Sequence, residues 1–496
     1  MTVNKILLCA MASAFSVQAS AATIVIQNDD GAGEGFSDPT DSATIPAQKG
    51  NNPGATLGDM RLKVFEEAAK VWEGILNSNV TITVGAKFDP LTCDEFSGTL
   101  GSAGATSSWT SFPGSEAGVA YHVALAESLR GSDLNGASVE IRATFNSDVD
   151  ADDLCLGDGG FYYGLDGNVP PGMSALFPVV LHELGHGLGF ASLSDVSPAG
   201  SGDWIGAGAN PDAYSRNLLD LETGKAWDSM SSEERKASAL NEPDLVWNGA
   251  KVAADSDMHL DPAPELEINA PNDIAGIFDA VLGDEPSIVM PVDGVTAGVL
   301  DGNTFEDMVF NDPDDPKEVP PEGCTQVAYN PIYNGKIVLF DESINCFGVV
   351  QAFFAEFEGA VGVIIVATAD NGLPDVSGQI GNQEITIPYI GVEKSVGVAL
   401  RANLGAANVT IRNSNTTLQG ENQGKVKIFA PATFDQGSSV SHWSSTASPD
   451  LLMEPNLGVL DFADVDLTAA AFKDIGWSVN IPGGVVELIY KDGFEN

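Results

Sequence analysis

The sequence predicts an α+β protein in which a domain with a mixed sheet and one chemistry-bearing helix is interrupted by a β-rich segment. Residues 59–76 show helical periodicity, and residues 80–84 and 138–145 read as strands. A change to short β-runs broken by Gly and Pro begins near residue 266, and the apolar run 362–367 is typical of a strand buried on both faces. Together these patterns favour separate helical and strand-rich regions.

Length and charge narrow the class of protein. A chain of 496 residues is long enough for two or three domains, and 43% hydrophobic residues are ample for packed cores. The net charge of −48 disfavours binding to nucleic acid or to an anionic membrane. We interpret the acidity as adaptation to salty or calcium-rich surroundings, and we favour this interpretation over a specific preference for basic substrates.

The first 21 residues are typical of a signal peptide. Lys5 precedes the apolar run 6–17, and Ala19-Ser20-Ala21 fits a cleavage site of small residues. The run is too short for a membrane span, and no later transmembrane candidate is found. We therefore expect a secreted chain that begins near Ala22, with retention in the periplasm left open.

Four cysteines remain after the predicted cleavage, which suits disulfides in an oxidising compartment. Three pairings are open, and spacing along the chain favours Cys93–Cys155 and Cys324–Cys346. A zinc site built from cysteines is disfavoured because no C-x-x-C spacing occurs.

Composition shifts divide the mature chain. The segment 22–57 is rich in Gly, Asp, Asn and Pro and reads as an irregular lead-in. Residues 58–265 form the first part of the α+β domain, 266–412 the β-rich segment, and 413–479 the second part of the α+β domain. Residues 480–496 read as a short C-terminal tail.

The strongest chemical signal is His182-Glu183-Leu184-Gly185-His186. It lies on a helix predicted from Ser174, as N-cap, to Gly187. Histidines four residues apart share a helix face and can bind one ion, while Glu183 can act as general base and then as proton donor. Imidazole ligands and a hydrolytic role favour Zn²⁺.

A catalytic zinc site needs a third protein ligand. The remaining histidines are His122, His259 and His442. We expect His122 to pack or hydrogen-bond near the edge of the fold and place His259 in an exposed acidic loop. A carboxylate such as Glu222 is a further alternative.

A resemblance to one protein family indicates which of these candidates is the third ligand. The pattern His-Glu-x-x-His-x-x-Gly-Phe that ends at Phe190, the distant Ser441-His442-Trp443 and Met453 in Leu-Leu-Met-Glu-Pro resemble leishmanolysin-type metzincins. The resemblance, over roughly residues 55–265 and 413–479, implies that His442 is the third zinc ligand and Met453 the Met-turn residue. In metzincins the third ligand usually follows the turn glycine by three residues, where this chain has Ser192.

A second resemblance accounts for the separation of 256 positions from His186 to His442, which exceeds the usual gap in that family. The blocks 335–340, 359–365 and 387–390, with Cys346-Phe347, are similar to a protease-associated (PA) domain. Such domains imply contact with substrates or partners, and a passive structural insert remains the alternative.

These residues together predict a secreted zinc-dependent endopeptidase that acts on proteins or peptides, with Glu183 as general base. The alternative is a non-catalytic, metal-stabilised surface or matrix-binding protein that uses its PA domain. A looser Ca²⁺ site is a further hypothesis for the acidic cluster Asp148, Asp150, Asp152 and Asp153, which lacks the Gly and the closing Glu of an EF-hand.

Overall fold

The structure, a computed structural model, describes residues 20–480 except 153, 158, 284–287, 289, 303–332, 344–345, 371, 379–383 and 457–463. The predicted signal peptide up to residue 19, Cys324 and the tail from residue 481 lie outside the described residues. The chain divides into two compact units, one formed by residues 1–259 and 420–496 and the other by residues 260–419. The predicted β-rich segment 266–412 lies within the second unit.

A mixed sheet of four strands supports the first unit: β1 (Ile24–Asn28), β2 (Ile82–Asp89), β3 (Gly101–Ala105) and β6 (Ile141–Asn146). The order is β1-β2-β6-β3; β1, β2 and β6 run parallel, and β3 is antiparallel to β6. The segment 22–57, predicted to be irregular, therefore contains a strand, β1. Alternation of inward Ala22 and Ile24 with exposed Val25 marks this strand, but the Gly- and Asp-rich residues after it obscure the pattern.

Two helices pack together beside this sheet. Helix α2 (Leu57–Ile75) begins with a capping box between Thr56 and Asp59. Its Trp72 Nε1 donates to the Leu181 carbonyl at 3.0 Å on helix α5 (Leu176–Leu188). Gly187 allows α5 to approach the sheet, because a Cβ there would lie 2.4 Å from Ile141 Cγ2.

The predicted start of the motif helix was wrong. Ser174 does not cap α5; it lies in the short strand β8 (Ser174–Ala175), paired with β7 (Phe161–Tyr162). The Ser174 N–H donates to the Gly160 carbonyl, so its backbone is committed to the strand pairing. Ala175 is the N-cap residue, and no side chain caps the helix.

The other elements of the first unit are short. Its remaining strands are β4 (Ser108–Trp109), β5 (Tyr121–His122), β9 (Leu218–Asp220), β10 (Lys225–Ala226), β11 (Leu245–Trp247), β20 (Glu421–Asn422) and β21 (Lys425–Val426). The further α-helices among its described residues are α1 (Pro46–Lys49), α3 (Val123–Arg130), α4 (Asp148–Ala151), α6 (Ser232–Ser238), α7 (Ala250–His259) and α10 (Thr468–Ile475).

The second unit is built on one large sheet. Its strands are β12 (Pro262–Ala270), β13 (Gly276–Asp279), β14 (Val281–Leu282), β15 (Val295–Asp301), β16 (Ile337–Asp341), β17 (Gly362–Val366), β18 (Tyr389–Val392) and β19 (Asn408–Leu418), in the order β13-β12-β19-β15-β16-β17-β18-β14. Its described residues also form helices α8 (Gly348–Phe357) and α9 (Lys394–Arg401).

The apolar run 362–367 forms a doubly buried strand, as predicted. All five residues of β17 are buried. Ile364 and Val366 contribute to one apolar cluster, and Val363 and Ile365 contribute to another. Successive side chains of a strand point to opposite faces, so the sheet is covered on both sides here.

The predicted disulfide Cys93–Cys155 is present. The predicted pair Cys324–Cys346 stays a prediction, because Cys324 is outside the described residues. Among the described helices, none has the length and apolarity that crossing a membrane requires.

Candidate metal centre

Three histidines from distant parts of the chain meet in one buried cluster. His182 and His186 lie one turn apart on α5, and His442 joins them from the segment after β21. Their Nε2 atoms are 3.0 Å (His182–His186), 3.1 Å (His186–His442) and 3.2 Å (His182–His442) apart. The structure thus brings together all three predicted metal ligands.

The outer nitrogen of each imidazole faces a backbone carbonyl. His182 Nδ1 lies 2.6 Å from the Leu452 carbonyl oxygen, His186 Nδ1 lies 2.8 Å from that of Phe190, and His442 Nδ1 lies 2.7 Å from that of Ser438. A carbonyl only accepts, so each Nδ1 carries the proton and donates. Each Nε2 of a neutral ring then presents a lone pair, and three lone pairs converge on one point.

This donor set fits zinc. Burial lowers the pKa of His182 to about 3 and of His186 to about 4, and it holds the pKa of His442 well below its ordinary value, so the rings are neutral near pH 7. Nitrogen ligands of a tetrahedral zinc at about 2.0–2.1 Å lie about 3.3 Å apart. The observed separations are close to that value, and carbonyl-bound Nδ1–H groups are typical partners of metal-binding histidines.

A glycine turn ends the motif helix. Gly189 has φ 121°, and its N–H donates to the carbonyl of His186. A Cβ at this position would lie 3.3 Å from Ile475 Cδ1, so both conformation and space favour glycine. The turn directs the Phe190 carbonyl back to His186, and it therefore fixes that ligand's orientation.

Met453 lies against the motif helix, where the Met-turn residue is predicted. It is fully buried, and a Cβ on Gly185 would be 2.7 Å from its sulfur. The Met453 carbonyl accepts from Trp443 N–H at 2.8 Å, which links this turn to the segment of His442. The same turn supplies the Leu452 carbonyl that binds His182.

Glu183 is buried between α5 and the edge strand β3. A Cβ on Gly101 would lie 3.0 Å from Glu183 Cγ, so β3 packs directly on this side chain. Burial raises the pKa of Glu183 to about 8, and the Ala103 N–H opposes the rise by hydrogen bonding to the carboxylate. A bound cation nearby would favour the charged form.

The alternative third ligands are placed elsewhere. His259 ends α7 and does not lie in a loop as predicted; it is half-buried. His122 is buried and packs beside Gly189, with its Nδ1 3.5 Å from the Cβ that Gly189 would carry. Glu222 is exposed and accepts from Asn241 at 3.0 Å. Over the described ranges, the three histidines are the one cluster of three potential His, Cys, Asp or Glu ligands within 4.8 Å.

Ser192 and the acidic loop have other contacts. Ser192 N–H donates to Ser441 Oγ at 3.1 Å, which ties the chain after the glycine turn to the segment of His442. Asp150 accepts from Arg61 at 2.8 Å and from Gln48 at 2.9 Å. Because Asp153 is not described, calcium at this loop stays a prediction.

Sequence reasoning missed the residue that supports the Met453 turn. Asp466 is buried, and its Oδ2 accepts from the Leu452 N–H at 2.5 Å. The Leu452 carbonyl in turn accepts from His182 Nδ1, so Asp466 positions this ligand through the backbone of one residue, Leu452. No motif marks it, because the contact is to backbone.

The comparisons with known proteins identify one domain. Residues 309–400 match the family model described as PA domain, which confirms the predicted resemblance for that part of the chain. The chain is thus a mixed α/β protein with a PA domain. No curated protein matches it.

Solved structures give weak likenesses. They include BSAP, a zinc aminopeptidase from Bacillus subtilis (15% identity, 41% of this chain, 42% of that one, TM-score 0.22). Another is a peptidase M28 precursor from Shewanella amazonensis SB2B, with 15% identity over 40% of this chain and 44% of that one and a TM-score of 0.23. A third is the subtilisin-like protease Apa1 from Pseudoalteromonas sp. AS-11, with 15% identity over 37% of each chain and a TM-score of 0.22. This chain spans less than half of each, and likenesses at these scores carry no argument about its site.

Proposed function

We propose that this protein is a secreted zinc-dependent endopeptidase with His182, His186 and His442 as metal ligands. The observation that carries the proposal is the convergence of three Nε2 lone pairs, each fixed by a carbonyl on the opposite side of its ring. Three unprotonated nitrogens about 3 Å apart repel one another, and a divalent cation between them removes that repulsion.

Zinc, when bound, polarises a water molecule and the substrate carbonyl and lowers the pKa of the water to about 7. Glu183 follows a ligand on the same helix, and we assign it as the general base that takes the proton of the attacking water. Its carboxyl group then carries that proton to the departing amine.

The edge strand β3 is the proposed binding surface for the substrate backbone. In the described part of the chain, β3 is the terminal strand of its sheet, and it packs against Glu183. An extended peptide can pair with such an edge through main-chain hydrogen bonds. Recognition of backbone in mid-chain suits an endopeptidase, since it requires no free amino terminus.

Export is part of the proposal. The predicted signal peptide supports it, and so does the Cys93–Cys155 disulfide, because disulfides persist in oxidising compartments. N-terminal sequencing of protein recovered from the periplasm and the culture medium tests both the cleavage site and the destination. We expect a start near Ala22.

The deciding experiment measures bound zinc and cleavage of casein for His442→Ala. Loss of the third ligand should reduce zinc content well below one ion per chain and abolish cleavage. Glu222→Gln is the matched control and should keep both. If His442→Ala keeps zinc and Glu222→Gln loses it, the ligand assignment is wrong. A metal-free, inert wild type would favour the non-catalytic binding protein.

Blocked peptides test the endopeptidase assignment separately. A peptide acetylated at its amino terminus should be cut as fast as the free peptide if the enzyme acts in mid-chain. Cleavage of the free peptide alone, with release of single amino acids, would make the protein an aminopeptidase and leave the zinc site intact.

A further inference from the structure

The loop that carries His442 contains a residue with a strained backbone. Val440 has φ 74°, in the left-handed region that a β-branched residue rarely adopts. It is 1% exposed, so its contacts are with other protein groups. Conformations of this kind persist only where the surrounding structure fixes them, and they are concentrated at functional sites. The contacts of Val440 therefore indicate what holds this loop in place.

The orientation of the third ligand depends on this backbone. His442 Nδ1 donates to the Ser438 carbonyl at 2.7 Å, four residues earlier in the same loop, and Val440 lies midway between the two. The Ser441 N–H donates to the same carbonyl at 3.3 Å. A change to negative φ at Val440 would redirect the chain between the imidazole and the carbonyl that fixes it. The left-handed conformation is therefore part of what aims His442.

A side chain from a distant segment holds Val440. The hydroxyl of Tyr214 donates to the Val440 carbonyl at 2.8 Å, across 226 positions of the chain. On the other side of the residue, the Val440 N–H donates to the Phe429 carbonyl at 2.8 Å. Tyr214 is 0% exposed, so this hydrogen bond is shielded from water. A buried carbonyl that loses its donor is costly, and the hydroxyl therefore stabilises the strained conformation.

The ring of Tyr214 is fixed by other aromatic side chains. It packs edge-to-face on Phe190 and on Trp247, with ring centroids 5.0 Å away in both cases. Trp443, which follows the third ligand, packs on Phe190 at 4.9 Å. The carbonyl of Phe190 accepts from His186 Nδ1. One buried aromatic cluster thus adjoins the supports of two ligands, and it places the Tyr214 hydroxyl at the loop of the third.

We infer that Tyr214 is a positioning residue for the metal centre, and that it holds His442 through the Val440 carbonyl. The inference rests on the proposed function, because it takes His442 as a zinc ligand. Tyr214 acts through backbone and not on the metal itself. A ligand that is already aimed needs no rearrangement when the ion binds, so the hydroxyl raises the affinity for zinc.

The zinc affinity of full-length Tyr214→Phe tests the inference. The change removes one oxygen and keeps the ring in its cluster. We expect the dissociation constant of zinc, measured by competition with a chelator, to rise about tenfold, the lower end of the usual effect for residues that support metal ligands. The visible spectrum of the cobalt-substituted protein should also change, because it reports the geometry of the ligands.

Tyr163→Phe is the matched control. It also removes a buried hydroxyl, which contacts Arg61 and Asp150 away from the histidines. This variant should melt at a lower temperature than the wild type, with zinc affinity and cobalt spectrum unchanged. If Tyr163→Phe weakens zinc binding as much as Tyr214→Phe does, general loss of stability explains both, and the inference is overturned.

Val440→Gly provides a rescue. Glycine adopts left-handed backbone without steric cost, so its combination with Tyr214→Phe should recover part of the lost zinc affinity. Unchanged affinity in Tyr214→Phe, or a double variant that binds zinc no better than Tyr214→Phe alone, overturns the inference. The wild type still binds zinc in both of those results, so the proposed function stands. A wild type that binds no zinc would instead overturn the proposed function.

Discussion

Glu183 shows how strongly single side chains in this protein depend on their surroundings. A carboxylate with a pKa near 8 would be mostly protonated at neutral pH, and a protonated acid cannot accept a proton from water. The three neutral imidazoles provide no compensating charge. Its proposed role as base therefore depends on a cation in the histidine cluster.

Glu183→Gln should separate binding from chemistry. The glutamine keeps the size of the side chain and an oxygen for the Ala103 N–H, but it cannot take a proton. We expect kcat for peptide cleavage to fall by about 10²–10⁴, the usual contribution of a general acid–base residue. Zinc content should stay near one ion per chain, measured by mass spectrometry of the metal. A variant that retains most of its activity would remove Glu183 from the mechanism.

The site residues differ in how far the sequence could predict them. His182, Glu183 and His186 follow from helical spacing alone, because four residues make about one turn. His442 required the family resemblance, since no periodicity relates it to α5. The carbonyls of Phe190, Leu452 and Ser438, which orient the rings, are backbone groups and leave no mark in the sequence.

At the scale of elements, the turn around Met453 contains two buried acids. Asp466 holds the Leu452 N–H, and Glu454 Oε1 accepts from the Leu451 N–H at 2.9 Å. Burial raises the pKa of Asp466 to about 7 and of Glu454 to about 8. The charge of Asp464 raises the pKa of Asp466 further, and the charges of Asp450 and Asp466 raise that of Glu454. The turn that supports His182 is therefore sensitive to pH.

Asp466→Asn should flatten the pH dependence of stability. The folded-state pKa lies above the ordinary value of 3.8, so the folded protein binds more protons than the unfolded chain between about pH 4 and 7. The contribution of Asp466 is therefore fully present at low pH and lost as pH rises through 7. Melting temperatures of zinc-loaded wild type and variant from pH 5 to 8 should diverge. Parallel curves would contradict this account. Both proteins are measured with zinc bound, so a pH dependence that comes from zinc binding affects the two curves alike.

Element boundaries were predictable where periodicity decides them. The segment 59–76 forms α2 within two residues of its predicted ends, because its buried stripe sets the helix. The start of α5 was predicted wrongly because Ser174, a residue type that often caps helices, pairs with strand β7 instead. Such pairing depends on a partner elsewhere in the chain, which local sequence does not show. The β-rich segment also contains α8 and α9, whose short apolar patterns cannot be distinguished from strands by periodicity.

At the scale of the whole molecule, one covalent link closes a long stretch of the first unit. The Cys93–Cys155 disulfide joins residues 62 apart, and the stretch between them includes β3 and β6. It therefore restrains the unfolded chain around the edge strand that packs on Glu183. Sequence spacing sufficed to predict this pair, whereas it cannot show that the bond encloses the proposed binding strand.

Replacing Cys93 and Cys155 together by serine should lower the free energy of unfolding of the first unit. For a closed loop of this length, the chain-entropy account gives about 4 kcal/mol, within the usual range of about 2–5. Urea unfolding followed by the fluorescence of the buried tryptophans measures the change. The same shift should appear in the wild type after reduction, and a double variant as stable as the oxidised wild type would show that the bond is dispensable.

The ends of the second unit meet each other. Gln419 N–H donates to the Asp261 carbonyl at 2.8 Å, and Pro262 pairs with Leu418 across β12 and β19. Once this unit of 160 residues has folded, its two ends are held together. The length of flexible chain from His186 to His442 then falls from 256 residues to about 96. By the logarithmic dependence of closure entropy on length, the contraction is worth about 0.9 kcal/mol. We therefore expect the folded insert to favour closure of the histidine cluster about fivefold over an unfolded insert of the same length.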